Sequence, residues 1–195
     1  MSEEARVYEL VDEHAMRMLS HPLRMRLLGI LRMKGPATAS ELGRLVHESS
    51  GVTSYHLRKL AEVGVVEEDV ERGTRKERWW RSVHDVTHWS NADFLGSRAA
   101  HQASLAMRRE AYRFQWRVLE QWLAEESEWD KTWVDAISES DSAIEMTPES
   151  LKAMGDEIWE VVERYRNQPV PEGQEKRWVF WFSHGVPIRD PEDYL

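Results

Sequence analysis

The hydrophobic positions of this chain keep a helical period as far as residue 64 and then change to strand alternation. Val7, Leu10, Val11, Ala15, Met18 and Leu19 fall at helical spacing and predict a first helix over residues 4–19. Ser20-His21-Pro22 interrupts it, and Pro22 suits the first turn of a second helix carried by Leu23, Leu27, Leu28, Ile30 and Leu31. Lys34-Gly35-Pro36 ends that helix. A third, short helix is expected over ASELGRLV, capped by Thr38 or Ser40, with Leu42, Leu45 and Val46 inward and Glu41 near its positive end. A fourth runs through Leu57 and Leu60 to Val63 and stops at Gly64. Val65 to Val70 and the aromatic-rich Lys76 to Val83 read as two strands, with Glu71-Arg72-Gly73-Thr74-Arg75 as the turn between them.

Ser90-Asn91 offers a cap for a proline-free helical pattern from Ala92 to about Glu128. Along it Leu105, Tyr112, Trp116, Leu119 and Leu123 make one stripe, of the kind that pairs with another helix. Asp141 to Met146 reads as a short strand. Thr147-Pro148-Glu149 starts a helix with Leu151, Met154, Ile158, Val161, Val162 and Tyr165 on its apolar face, and Arg177 to Phe182 reads as a further strand. The expected fold class is mainly α (α+β). Residues 1–88 make a helical domain closed by a hairpin, and residues 89–195 a long dimerisation helix plus a small α/β unit.

Charge alters this picture where composition alone does not. A net charge of -9 argues against nucleic acid as a partner, but the deficit is unevenly placed. Residues 1–90 hold 14 basic and 14 acidic side chains, residues 91–195 hold 12 and 21, and the stretch 17–81 holds 13 and 8. The helix-rich first half is therefore free to meet a polyanion. With no cysteine, disulfides and thiolate metal sites are excluded. The start, MSEEARVYELVDEHAM, lacks the basic n-region and apolar run of a signal peptide, and no membrane span is legible, so a cytoplasmic protein is expected.

The segment SSGVTSYHLRKL, Ser49 to Leu60, carries the candidate chemistry. Its small hydroxyl residues and glycine are indifferent helix formers at the start of a helix. Such residues are what a helix needs at its tip to enter the DNA major groove and to ligate phosphate. Helical spacing puts Thr53, Leu57, Leu60 and Ala61 inward and leaves Ser50, Ser54, Tyr55, Arg58 and Lys59 to face or flank the groove, with Ser49 at the tip. Helix, turn, helix and hairpin in this order make a winged helix-turn-helix, whose wing brings Arg72, Thr74, Arg75 and Lys76 alongside the backbone or into the minor groove.

LSHPLRMRLLGIL, ASELGRLV, SYHLRKLAEVGVVEE and RGTRKERWWR together resemble a bacterial ArsR-type winged helix-turn-helix regulator over roughly residues 10–85. The resemblance implies a homodimeric DNA-binding regulator, usually a repressor. It implies that Ser50, Thr53, Ser54, Tyr55, His56 and Arg58 line the recognition helix, with Arg72 to Lys76 at the wing tip. His56 has a second reading, packed under the wing. The cysteine-based metal sensing of that family does not carry over to a chain without cysteine.

The remaining chemistry is sparse. His84 and His88 share helical spacing, but a zinc site needs three or four ligands, so no metal or cofactor is expected. Seven of the ten tryptophans follow residue 115. Trp116, Trp122, Trp159, Trp178 and Trp181 could line a pocket for a small apolar or cationic effector, or serve as core and dimer contacts. No phosphate loop, nucleophile elbow, HExxH or dinucleotide fingerprint points to an enzyme. The expected partners are double-stranded DNA and a second copy of the chain. A protein-interaction module on a winged-helix fold is the alternative.

Overall fold

The computed structural model describes residues 5–74, 77–189 and 192, in two compact units, the first ending at Phe114 and the second beginning at Gln115. The first opens with strand β1 (Val7–Glu9) and continues through helices α1 (Glu13–Leu19) and α2 (Pro22–Lys34). Strand β2 (Ala37–Thr38) leads into α3 (Ala39–Val46) and α4 (Ser50–Ala61), followed by β3 (Val66–Glu68), β4 (Trp79–Ser82) and β5 (Val86–His88). A single 3-10 turn at Ala92–Phe94 precedes the long helix α5 (Arg98–Glu125). The second unit holds the end of α5, then α6 (Lys131–Asp135) and α7 (Pro148–Arg166).

The expected first helix is not continuous. Residues 7–9 form β1, paired in parallel with β5 through Val7↔Val86 and Glu9↔His88. Local periodicity loses here to tertiary partners. The Tyr8 hydroxyl donates to Val63 O at 2.9 Å, Leu10 N donates to His88 O at 2.8 Å, and the Leu10 side chain is fully buried. Asp12 then starts α1 by accepting the Ala15 N–H at 2.9 Å.

The hairpin forms as expected, with a third strand that the pattern did not mark. The sheet order is β2-β4-β3, antiparallel throughout, with Thr38↔Trp79 on one side and Glu68↔Trp80 on the other. Alternation points Trp80 into the core and leaves Trp79 half-exposed. Below the sheet lie Leu27 and Leu31 of α2, Leu42 of α3, and Leu57 and Leu60 of α4, all almost fully buried. Each contributes about 1.5–3 kcal/mol by leaving water. Leu45, expected inward, is exposed instead. Leu42 and Val46, one helical turn apart, share the inner face, while Leu45 lies on the solvent side of that turn.

The first unit runs past residue 88. Phe94, Ala100, Ala103 and Met107 are buried in the same core as α1 and α2, so the start of α5 belongs with it. In the second unit α7 is capped by Thr147, whose Oγ1 accepts the Ser150 N–H at 3.2 Å. The two strands expected there do not form among the described residues. Asp141 to Met146 is exposed, and Arg177 to Phe182 joins no ladder. A strand needs a facing row of backbone donors and acceptors, and no described segment beyond β5 supplies one.

Candidate nucleic-acid interface

The site begins with the way α3 hands the chain to α4. Thr38 and Glu41 form a reciprocal capping box, Thr38 N donating to Glu41 Oε2 at 2.8 Å and Glu41 N to Thr38 Oγ1 at 3.2 Å. Those bonds from Thr38 hold the Glu41 carboxyl below the usual carboxylate range. α3 ends at His47, which takes a left-handed conformation (φ 60°). The chain turns so tightly there that a Cβ on Gly43 would lie 2.6 Å from Glu48 O and 3.2 Å from Thr53 Oγ1. Glycine is what lets α3 and the start of α4 approach.

Ser49 caps α4 by accepting the Val52 N–H at 3.3 Å, and Thr53 Oγ1 donates back to Ser49 O at 3.0 Å. Ser49, Ser50, Tyr55 and Arg58 are exposed, while Ser54 and Lys59 are half-buried. Arg58 Nε donates to Ser54 O at 3.1 Å, and Arg58 makes no ion pair among the described residues. Lys59 pairs with Glu62 at 2.9 Å and lies 6.0 Å from the Tyr55 ring centre. Hydroxyls, an aromatic phenol and a guanidinium thus share the exposed face of a helix whose positive end is also presented to solvent.

Two residues implied by the family resemblance do not reach that face. Thr53 is fully buried, as the periodicity had it, and its hydroxyl is committed to Ser49 O. His56 is 8% exposed and packs against α2 rather than under the wing. It lies on the inward strip with Thr53, Leu57 and Leu60, and its Nδ1 accepts from Arg24 Nε at 3.3 Å. Its ring is 4.5 Å from that of His21. Burial, followed by the charge of Arg24, holds the His21 ring below the usual histidine range. Burial, His21 and Arg24 do the same to His56 against a weaker opposing pull from Glu48.

The wing is less free than its composition implies. Arg72 is exposed, 3.6 Å from the buried Asp69 carboxylate and 5.9 Å from the Trp79 ring centre. Arg78 faces Glu68 at 3.5 Å and Arg81 faces Glu67 at 2.7 Å. Thr74 is exposed and closes the turn with Glu77, its N–H donating to Glu77 O at 2.9 Å. Arg75 and Lys76, both expected at the tip, lie outside the described residues.

Residues 19–69, which contain α2, α3, α4 and β3, match a family model described as a helix-turn-helix domain. The chain carries a helix-turn-helix domain. In it α3 is the first helix of the motif and α4 the second, the one that enters the groove in proteins of this architecture. Among solved structures, the chain is similar to a C30AH42A mutant of Lactococcus lactis ZitR in apo form, at 11% identity and a TM-score of 0.32, over 75% of this chain and 83% of that one. That likeness is too distant to bear on function. No curated protein matches the chain at comparable significance.

Outside the helix-turn-helix domain the other candidates separate. Trp116, Trp159, Trp178 and Trp181 are exposed, and Trp122 is half-buried with its ring 5.7 Å from Trp129. His84 and His88 flank and end β5 rather than sharing a helix. His88 pairs with Glu9 at 3.0 Å, and the His84 ring lies 5.2 Å from Tyr8. Among the described residues no group of three or more His, Asp or Glu is placed to hold a metal ion, and no helix is long and apolar enough to cross a membrane.

Arg24 and His21, which pack beneath α4 rather than on its exposed face, are what sequence reasoning missed. Arg24 reads as an exposed charge between leucines, and its buried contact lies 32 positions further along the chain. Val52, exposed between Ser50 and Tyr55, was missed too, although the helical count that sets Thr53 inward sets Val52 outward.

Proposed function

We propose that this chain is a sequence-specific DNA-binding transcriptional regulator of the ArsR type, a repressor acting as a homodimer on an inverted-repeat operator. In this reading residues 1–88 supply the DNA-binding domain, and residues 89–195 supply dimer contacts and the response to a small effector. The observation that carries it is the exposed face of α4. Ser50, Tyr55 and Arg58 stand together on the second helix of a helix-turn-helix, on a scaffold buried beneath them. Arg58 and the wing meet phosphates, while the hydroxyls, Val52 and Tyr55 meet base edges and thymine methyls.

Dimerisation is supported by what the single chain leaves uncovered. Tyr112, Trp116 and Leu123 of the α5 stripe are exposed, as are Met154, Val161 and Tyr165 of α7. No described residue beyond Gln115 is buried. Exposed apolar surface on this scale marks an association site. Two copies related by a twofold axis would set two α4 helices about one DNA turn apart, which calls for an inverted repeat. The repressor reading rests on the resemblance of the quoted motifs.

The test is titration of the protein against fragments of its own promoter region at several salt concentrations, beside Arg58→Ala. Binding should weaken with salt, and the variant should bind more weakly with a log–log salt slope lower by about one. Binding indifferent to salt, or no promoter fragment retained, sinks the reading.

A further inference from the structure

The second helix of the motif is tied to α2 by a polar cluster that no DNA contact requires. His56, on the buried side of α4, accepts at Nδ1 from Arg24 Nε at 3.3 Å. His21, the residue before α2, accepts the Leu23 N–H at its own Nδ1 at 3.2 Å. The two rings lie 4.5 Å apart, and Arg24, itself buried, is anchored from α1 by Met18 O at 2.8 Å.

Each Nδ1 is used as an acceptor, which places the ring proton on Nε2 and leaves both imidazoles neutral. A proton arriving at either Nδ1 abolishes that hydrogen bond. It also sets a cation beside a guanidinium that cannot give up its own charge. The groups facing the pair are few. His21 meets Arg24 and His56, and His56 meets His21, Arg24, the Tyr55 ring edge and, from the turn before α4, the weaker influence of Glu48. From α1 the cluster receives Met18 O and Sδ, which are uncharged.

We propose that His21, Arg24 and His56 are positioning residues that hold α4 in its DNA-reading seat only while both imidazoles are neutral, so that mild acid frees the helix and releases DNA. The inference rests on the reading of α4 as the DNA-contacting helix. Protonation also has a direct effect of opposite sign, since added positive charge near phosphates tightens binding. The direction of the pH effect therefore separates a buried latch from a simple phosphate contact.

The experiment is fluorescence anisotropy of the full chain on a promoter fragment at fixed salt, from about pH 7.5 to about pH 4.5, a span that reaches below the ordinary histidine range. Wild type is compared with the double variant His21→Asn/His56→Asn and with Arg58→Ala. Asparagine Oδ1 takes the place of Nδ1, accepts the same hydrogen bond and cannot be protonated. Wild-type affinity should fall about tenfold or more across the range. The double variant should match wild type at the upper pH and change little below it. Arg58→Ala should be weaker throughout yet keep the wild-type slope. A flat wild-type profile, tighter binding in acid, or a slope that survives in the double variant overturns the proposal.

If no promoter fragment binds at any pH, the DNA reading has failed on its own. The latch is then judged in the free protein by imidazole NMR, which also serves if the double variant does not fold. Nε2–H tautomers, titration below the ordinary histidine range and α4 amide shifts at the same midpoint support it. Titration in the ordinary range, or α4 amides that do not respond, overturns it.

Discussion

The turn between α3 and α4 depends on individual residues whose contribution is local and measurable. A Cβ at Gly43 would meet the backbone oxygen of Glu48 at 2.6 Å, and backbone cannot step aside as a flexible side chain can. Gly43→Ala should therefore destabilise the first unit by about 1–3 kcal/mol in denaturant unfolding. Thr38→Ala removes the capping box and should cost about 1 kcal/mol. The partner carboxylate gives that cap a pH signature. Because Thr38 holds Glu41 below its ordinary range, the contribution is complete above the unfolded-state value of about 4.3. It is lost as pH falls through the lower folded value. Wild type should thus lose more stability than Thr38→Ala when acidified through that window, and equal losses would show the cap to be idle.

At the level of elements, α2, α3, α4 and the hairpin were legible because each carries its own signal. Pro22 and Gly35 bound α2, Thr38 with Glu41 opens α3, and an inward row of Thr53, Leu57 and Leu60 defines α4. Three elements were not legible, for one reason. β1, β2 and β5 are two or three residues long and exist because a distant strand offers them hydrogen bonds. A helical count over 4–19 has no means of registering that Leu10 N finds His88 O. The His21–Arg24–His56 cluster escaped notice on the same ground, being a contact between helices rather than a pattern within one.

α5 shows both outcomes in a single helix. Its apolar stripe was read from Leu105, Tyr112 and Trp116, yet the face packed on the first unit is Ala100, Ala103, Ser104 and Met107. Small residues there let the helix approach closely, so Ala103→Leu should overpack that contact and lower stability by about 1–3 kcal/mol. Trp116→Ser on the other face should leave thermal unfolding of the first unit nearly unchanged. If both variants melt like wild type, the assignment of the buried face is wrong.

For the whole molecule the two units differ in surface character. The first has a closed core and a neutral to basic motif, whereas the second is acidic and exposes Trp116, Leu123, Trp159 and Tyr165. A single chain has nothing to gain from leaving these in water, and a second copy can cover them on both partners at once. The double variant Trp116→Arg/Leu123→Arg places like charges on each side of that contact in the proposed dimer. It should sediment as a monomer at concentrations where wild type is dimeric, with the far-ultraviolet circular dichroism of the helices retained. Losing the second α4 removes the avidity of a two-site grip, so affinity for an inverted repeat should fall by about a hundredfold or more. Affinity for a single half-site should change little, since the α4 face is untouched. That contrast separates a lost partner from a damaged helix, and an unchanged sedimentation coefficient would count against a dimer contact through Trp116 and Leu123.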